Sequence, residues 1–215
     1  MRKTLLRNDT YEQINKRLDE LNNKVHDTDF ISSKRKANEV NCWVFDYPPQ
    51  HEMIVRERIE DMITRNKKGI DNFKIYNYDL YDIIVDYLDD EGFIDGCDVY
   101  EQRYGIKQVA KSVKNVLRIS MEENLLTDYI KEHTPTDNAV VFLTGVGKCY
   151  PLLQATEILN KVLYNMPASY NKVPMVLFYP GTYTDQELIL FNKLHEDNYY
   201  RAFPLVERRT DKYDY

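Results

Sequence analysis

The sequence predicts an α/β domain: a mostly parallel sheet in a three-layer, Rossmann-like arrangement, with an N-terminal helix and a helical insertion in the middle. Two adjacent motifs carry that prediction. The apolar run 139–143 empties into Thr144-Gly145-Val146-Gly147-Lys148-Cys149-Tyr150-Pro151, and the apolar run 175–179 empties into Pro180-Gly181-Thr182-Tyr183. Apolar strands that each feed a Gly-bearing turn describe neighbouring βα units, whose loops meet ligands or partners at the carboxyl ends of the strands. A third observation is the alternation of strand-like and helix-like segments, which calls for right-handed crossovers between layers.

Residues 10–25 read as an amphipathic helix. Thr10 and Gln13 suit a capping box, and Tyr11, Ile14, Leu18, Leu21 and Val25 recur at helical spacing. The stripe is too short for a coiled coil, so the helix is expected to lie against the domain. Residues 32–38, with Lys34-Arg35-Lys36, read as a linker. Cys42–Asp46 is an apolar strand ending on an aspartate, and Pro48-Pro49 suits the start of a helix bearing Met53, Ile59, Met62 and Ile63 on one face. Residues 73–77 alternate like a strand. Asn77 or Asp79 can cap the next helix, which carries Leu80, Ile83, Ile84, Tyr87 and Leu88.

Gly92, Gly96 and Gly105 interrupt the next stretch of chain, and helices are expected at about 106–118 and 121–132. Beyond the two motif strands, Thr184 and Glu187 suggest a second capping box opening a helix with Leu188, Phe191 and Leu194 inward. Residues 199–206 read as a last strand, and Pro204 assigns it to an edge because proline cannot donate to a ladder. The organisation expected is an N-terminal helix and linker over 1–40, one α/β domain over 41–206 with the helical insertion at about 93–132, and a tail over 207–215.

Composition narrows the function. The chain has 215 residues, 43% hydrophobic and 30% charged, the balance of a globular protein with its own core. A net charge of −6 argues against general nucleic-acid binding, which needs a basic face. Lys34-Arg35-Lys36 and the tail are the segments where a local basic patch could still form. No apolar run reaches the ~20 residues that span a bilayer, and the basic N-terminus lacks an apolar signal core. Cys42, Cys97 and Cys149 are far apart, which fits reduced cytoplasmic thiols and gives no metal-ligand spacing. The 18 tyrosines suit buried positions with wet edges as well as interaction surfaces.

Gly145, Gly147 and Lys148 are the ligand-loop candidates. A phosphate-binding loop needs GxxxxGK[ST]; here the loop is shorter and Cys149 stands where the hydroxyl belongs. The dinucleotide pattern fails at Tyr150. A tight turn handing the strand to a helix at Pro151 is the simpler account. Cys149 could act as a nucleophile if Lys148 and a helix N-terminus lowered its pKa. Asp46 could serve acid–base chemistry, but capping the helix at Pro48-Pro49 explains it better. His195-Glu196-Asp197-Asn198 reads as a helix end and turn. Neither a GxSxG elbow nor an HExxH or CxxC pattern occurs, so no metal or cofactor is implied.

Four stretches carry a resemblance: Val141–Gly147 with Tyr150-Pro151; Val173–Tyr183; Leu194–Phe203; and, less specifically, Trp43–Pro49 through Val55-Arg56. In order and spacing they resemble the BrxB family of bacterial BREX phage-defence systems. The resemblance implies a place beside a large ATPase, a DNA methyltransferase and PglZ, and it brings no catalytic residues. The expectation is a cytoplasmic, non-enzymatic adaptor that docks other BREX proteins, PglZ first, without membrane or sequence-specific nucleic-acid contact. Tyr179, Tyr183, Tyr199 and Arg201 are candidate partner-surface residues, since aromatics and arginine dominate interface energetics. The alternatives are that these tyrosines pack within their own domain, and that the chain is a nucleotide- or small-ligand-binding protein using the Gly145–Lys148 loop.

Overall fold

Helix α1 (Tyr11–Val25) and the short α2 (Thr28–Ile31) precede strand β1 (Cys42–Tyr47) in the computed structural model, which describes residues 6–31, 41–184, 187–196 and 202–206. Thr10 and Gln13 form the expected capping box, each side chain bonding the other's backbone N–H, at 3.3 and 2.7 Å. Ile14, Leu18, Leu21 and Val25 are fully buried, while Tyr11 points to solvent. Burying each of those aliphatic side chains contributes about 1.5–3 kcal/mol, enough to fix α1 against the sheet.

Every residue of β1 is buried. Cys42 and Val44 join one apolar cluster and Trp43, Phe45 and Tyr47 the other, so the strand is covered on both faces. A 3-10 turn (Pro49–His51) leads into α3 (Glu52–Asn66), which buries Val55, Ile59 and Met62 beside α1. Met53, expected on that inner face, is exposed, and Ile63 is half-buried. At the end of α3 the Asn66 amide donates to the Phe73 carbonyl at 3.0 Å and accepts from the Ile75 N–H at 2.8 Å, aligning the next strand.

Strand β2 (Lys74–Asp79) is followed at once by α4 (Leu80–Asp90), capped by Asp79 through the N–H groups of Tyr81 and Asp82. Helices α5 (Ile94–Tyr104), α6 (Ile106–Val116) and α7 (Leu125–His133) complete the crossover. The last begins later than the sequence spacing suggests, because Asn124 caps it by accepting from the Thr127 N–H at 3.0 Å. Helices α6 and α7 pack on the core, whereas α5 buries no residue.

Strand β3 (Ala139–Thr144) leads to α8 (Val146–Cys149), then α9 (Ala155–Glu157), whose axis continues as a π-helical stretch (Ile158–Leu163). Strand β4 (Met175–Tyr183) is buried throughout, and β5 (Leu188–Leu190), β6 (Leu194–Glu196) and β7 (Phe203–Pro204) follow. The sheet order is β2-β3-β4-β1-β7 with all of these pairs parallel; β5 pairs antiparallel with the end of β4, and β6 with β5. Pro204 lies on the edge strand β7, as expected. The step from β1 to β2 crosses the sheet one way and the steps from β2 to β4 return. Connections of one hand then put α3 on the face of α1, and α4 and α6 to α9 on the other.

The helix expected after Thr184 is a hairpin instead. Thr184 and Glu187 do bond each other, but as a turn: the Thr184 N–H donates to the Glu187 carbonyl at 2.9 Å and the Glu187 N–H to Thr184 Oγ1 at 3.0 Å. Phe191 and Asn192 adopt φ of 54° and 57°, which no right-handed helix accommodates. Leu188 is buried, but Leu194 is 36% exposed rather than inward.

Candidate functional site

The carboxyl ends of β2 and β3 bring the Gly145–Lys148 turn against Asp79. Gly145 is left-handed at φ 76°, and a Cβ there would strike the Asp79 carboxylate. Gly147 lies under Phe191 and Pro180, each 3.0 Å from where its Cβ would stand. Lys148 Nζ sits 2.7 Å from Asp79 Oδ2 and 2.8 Å from Asp82 Oδ1, with the Tyr81 ring centre at 5.4 Å. Burial opposes its charge, yet its bonds to Asp79 and then Asp82 outweigh that and raise its pKa. A phosphate arriving here would have to displace two carboxylates from the only cation of the turn.

Cys149 is fully buried, and its thiol is pushed up to about 12 by burial first and then by Asp79, with Lys148 only partly opposing. That reverses the condition a nucleophile needs. The peptide before Pro151 is cis, and the helix resumes at Ala155 rather than at Pro151.

The adjoining carboxyl ends of β1 and β4 hold a buried ion cluster. Arg7 donates from Nη2 to Asp46 Oδ1 at 2.6 Å and from Nε to Oδ2 at 3.0 Å. Arg17 donates from Nη2 to the same Oδ1 at 3.0 Å and from Nη1 to Asp9 Oδ2 at 2.7 Å, with its guanidinium 4.7 Å over the Phe45 ring. The Tyr183 N–H reaches Asp46 Oδ2 at 3.1 Å. Asp46 therefore does not cap the helix after β1; Pro48 occupies that cap position without a side-chain bond. Burial pushes the Asp46 pKa up, but the bonds and charges of Arg7, the charge of Arg17 and the Tyr183 N–H bring it below the ordinary value. Two arginines and two aspartates balance, which is what makes their burial tolerable.

The same cluster ties the N-terminal segment to the β4–β5 hairpin. The Arg7 N–H donates to Thr182 Oγ1, the Thr182 hydroxyl to Asn192 Oδ1 at 2.7 Å, and Asn192 Nδ2 back to the Arg7 carbonyl at 2.8 Å. In open α/β sheets this crevice is where ligands sit; here the chain's own Arg7 and Asp46 fill it, 7% and 2% exposed. The sequence pattern did not single out Arg7, Asp9 or Arg17. One signal was available: Arg17 stands between Ile14 and Leu21 on the apolar stripe of α1, a charge placed where only a buried partner could receive it.

Tyr179 and Tyr183 are buried, so neither presents a ring to a partner, and the partner-surface reading is withdrawn for both. The reason is that β4 continues through Pro180-Gly181 to Tyr183 instead of ending in a loop. The Tyr183 hydroxyl donates to the Ala202 carbonyl. Tyr199, Arg201 and Lys34-Arg35-Lys36 lie outside the described residues. His195 sits inside β6, not at a helix end, and its neighbour Glu196 turns inward to accept the Thr156 N–H at 2.9 Å. Glu196 Oε1 and the Tyr179 hydroxyl are buried without a hydrogen-bond partner among the described residues. Burial is the main cause that raises both pKa values.

Among the described residues, no three or more His, Cys, Asp and Glu side chains group to hold a metal ion, and no helix is long and apolar enough to cross a membrane. Comparison with known proteins gives a consistent result. The family model described as "BREX protein BrxB" matches residues 76–205. The chain is similar to a BREX protein BrxB of Bacillus cereus (strain H3081.97), 37% identical over 196 residues, covering 91% of this chain and 99% of the relative. It is also similar to a BREX protein BrxB of Escherichia coli O9:H4 (strain HS), 28% identical over 191 residues, covering 88% and 90%. No solved structure matches. With an α/β fold and a match that runs nearly the length of both relatives, the chain belongs to the BrxB family of BREX proteins.

Proposed function

We propose that this protein is a non-enzymatic adaptor of a BREX anti-phage defence assembly, docking other BREX proteins in the cytoplasm, with PglZ as its first partner. One observation carries the reading. The crevice at the ends of β1 and β4, where an α/β enzyme would place its chemistry, is closed by the Arg7–Asp46–Arg17 cluster. Family membership supplies the context, and the ion-paired Lys148 weighs against the alternative, a phosphate ligand in the Gly145–Lys148 loop. We read the architecture as a three-layer, Rossmann-like domain; support comes from strands whose alternate residues belong to separate apolar clusters, each covered by helices.

The test is co-expression of the tagged chain with PglZ from the same locus, followed by size-exclusion chromatography at low and high salt. Co-elution at fixed stoichiometry is the expected result. Separate elution, combined with saturable ATP or GTP binding that Lys148→Ala abolishes, would replace the adaptor reading with the ligand-binding one.

A further inference from the structure

Residues 6–10 belong to no helix or strand, yet they close the crevice at the ends of β1 and β4. Among the described residues, no main-chain group of residues 6–9 bonds another main-chain group. Side chains of the folded domain hold the segment instead. Thr182 Oγ1 accepts the Arg7 N–H, Asn192 Nδ2 donates to the Arg7 carbonyl at 2.8 Å, and His51 Nε2 donates to the Asp9 carbonyl at 2.8 Å. Asp46 takes the Arg7 guanidinium in a fork, and Arg17 takes the Asp9 carboxylate at 2.7 Å. Of residues 6–10 Arg7 alone is buried; Leu6 is 45% exposed and Asn8 faces solvent.

This is how a receptor holds a peptide. A segment integral to the fold is held by ladder bonds or by apolar burial, and this one has neither. Bonds to its main chain fix its register whatever its sequence, while one buried, doubly bonded guanidinium selects arginine. Lysine cannot substitute, because an ammonium does not match both carboxylate oxygens at once. Two features suit exchange of the occupant. Asp46 also accepts from Arg17 Nη2 at 3.0 Å, so departure of Arg7 does not leave the carboxylate bare. Arg17 Nε, moreover, is buried without a hydrogen-bond partner among the described residues. It shares a fork with Nη2, so Asp46 can close on both donors when Arg7 leaves.

We propose that this crevice is a docking site for an extended Arg-x-Asp segment of another BREX protein, and that residues 6–9 are a tethered stand-in which that segment displaces. The inference rests on the adaptor reading and names the site and the chemistry that reading requires. Tethering gives the stand-in a high effective concentration, so the free chain keeps its site closed. A partner displaces it by bringing its own arginine together with contacts elsewhere.

The probe is a fluorescein-labelled peptide with the sequence of residues 5–10, blocked at both ends. Its control carries citrulline, the uncharged isostere, in place of arginine. The receptor is the full chain with Arg7→Ser, which loosens the stand-in and leaves Asp46 in place. By anisotropy the arginine peptide is expected to bind this variant at least about tenfold more tightly than it binds wild type. It should exceed the citrulline peptide by about tenfold or more, and it should raise the variant's unfolding temperature. Thermal unfolding also confirms that the variant folds. Should Arg7→Ser fail to fold, Arg7→Lys, which keeps a single cation, takes its place.

Equal affinity for the two peptides, or no binding to the folded variant, overturns the proposal. So does a dimer of this chain that Arg7→Ser dissolves, since the occupant would then be a second copy. In a complex with PglZ, hydrogen–deuterium exchange at the Arg7 amide should be faster than in the free chain, because the Thr182 bond is given up. Unchanged exchange in a complex that does form overturns the proposal and leaves the adaptor reading standing. PglZ that never co-elutes, while the arginine peptide still binds, removes PglZ and keeps the site.

Discussion

The Arg7 guanidinium grips the Asp46 carboxylate with two bonds, at 2.6 and 3.0 Å, across 39 positions of sequence. It joins the segment before α1 to the carboxyl end of β1; Arg17 adds a second cation from α1 itself, and Asp9 balances it. Removing one member of a buried pair leaves an uncompensated charge, which costs far more than the pair was worth. Asp46→Ala is therefore expected to lower unfolding free energy by about 3–5 kcal/mol. Urea unfolding followed by circular dichroism measures this. A loss within the range of an ordinary surface substitution would mean that the cluster is solvated.

The same pair sets a pH dependence. The folded pKa of Asp46 lies below the unfolded aspartate value of about 3.9. A depressed folded pKa contributes stability that is fully present above the unfolded value and is lost as pH falls through the folded one. The wild-type urea midpoint should thus drop below about pH 4, with Asp46→Asn lower at neutral pH and falling less steeply. Parallel acid profiles for the two proteins would show that Asp46 is not held ionised.

Gly145 is fixed by two constraints at once, a left-handed backbone and the Asp79 carboxylate where its Cβ would go. Gly145→Ala should cost about 1–3 kcal/mol, from backbone strain and displacement of the α4 cap. Lys148→Ala, one turn away, removes two partly exposed ion pairs, with Asp79 and Asp82, and should cost about 1 kcal/mol. Thermal unfolding of both variants decides the order. A larger loss for Lys148→Ala would assign the turn's stability to its charges rather than its conformation.

How much of this was legible in the sequence depended on range. Strands β1, β3 and β4, the Thr10–Gln13 box and the edge position of Pro204 follow from local pattern and are present, and of the two caps offered for α4, Asn77 and Asp79, it is Asp79 that forms. The 188–196 segment failed because Leu188, Phe191 and Leu194 match a helical period as well as a hairpin. The conformations that settle it, at Phe191 and Asn192, belong to residues that show no preference as strong as glycine's. Tyr179 and Tyr183 were misjudged because Pro180-Gly181 signals a turn, whereas here it is the point where β4 leaves β1 and takes up β5. Asp46 stands out at its strand end, but its partners come from Arg7 and Arg17, and no periodicity links them. Long-range pairing of buried charge is written in the fold and only hinted at by a lone arginine on an apolar stripe.

Glu196 titrates in the opposite sense to Asp46. Burial raises its pKa, and the Thr156 N–H compensates only in part. An acid with a raised folded pKa favours the fold when protonated, and that advantage is lost as pH rises from the unfolded value through the folded one. Glu196→Gln keeps an acceptor for Thr156 and removes the charge, so it should be neutral or stabilising at pH 7 and should flatten the profile above about pH 4.3. Chemical denaturation at two pH values checks it. Marked destabilisation at neutral pH would mean that the carboxylate makes a charged contact the fold depends on.

Thiol chemistry separates the three cysteines by environment. Cys42 and Cys149 are buried, and burial pushes each thiol up to about 12, so the reactive thiolate is scarce at neutral pH and out of reach as well. Cys97 lies half-buried on α5. Iodoacetamide at about pH 8 should therefore modify Cys97 alone in the folded chain, and all three cysteines once urea unfolds it. Peptide mapping by mass spectrometry distinguishes the sites. Native-state modification of Cys149 as fast as that of Cys97 would contradict the buried turn and restore Cys149 as a candidate nucleophile. Silence at Cys149 with rapid labelling at Cys97 is the expected pattern, because the turn at the end of β3 encloses the one thiol and α5 leaves the other half-exposed.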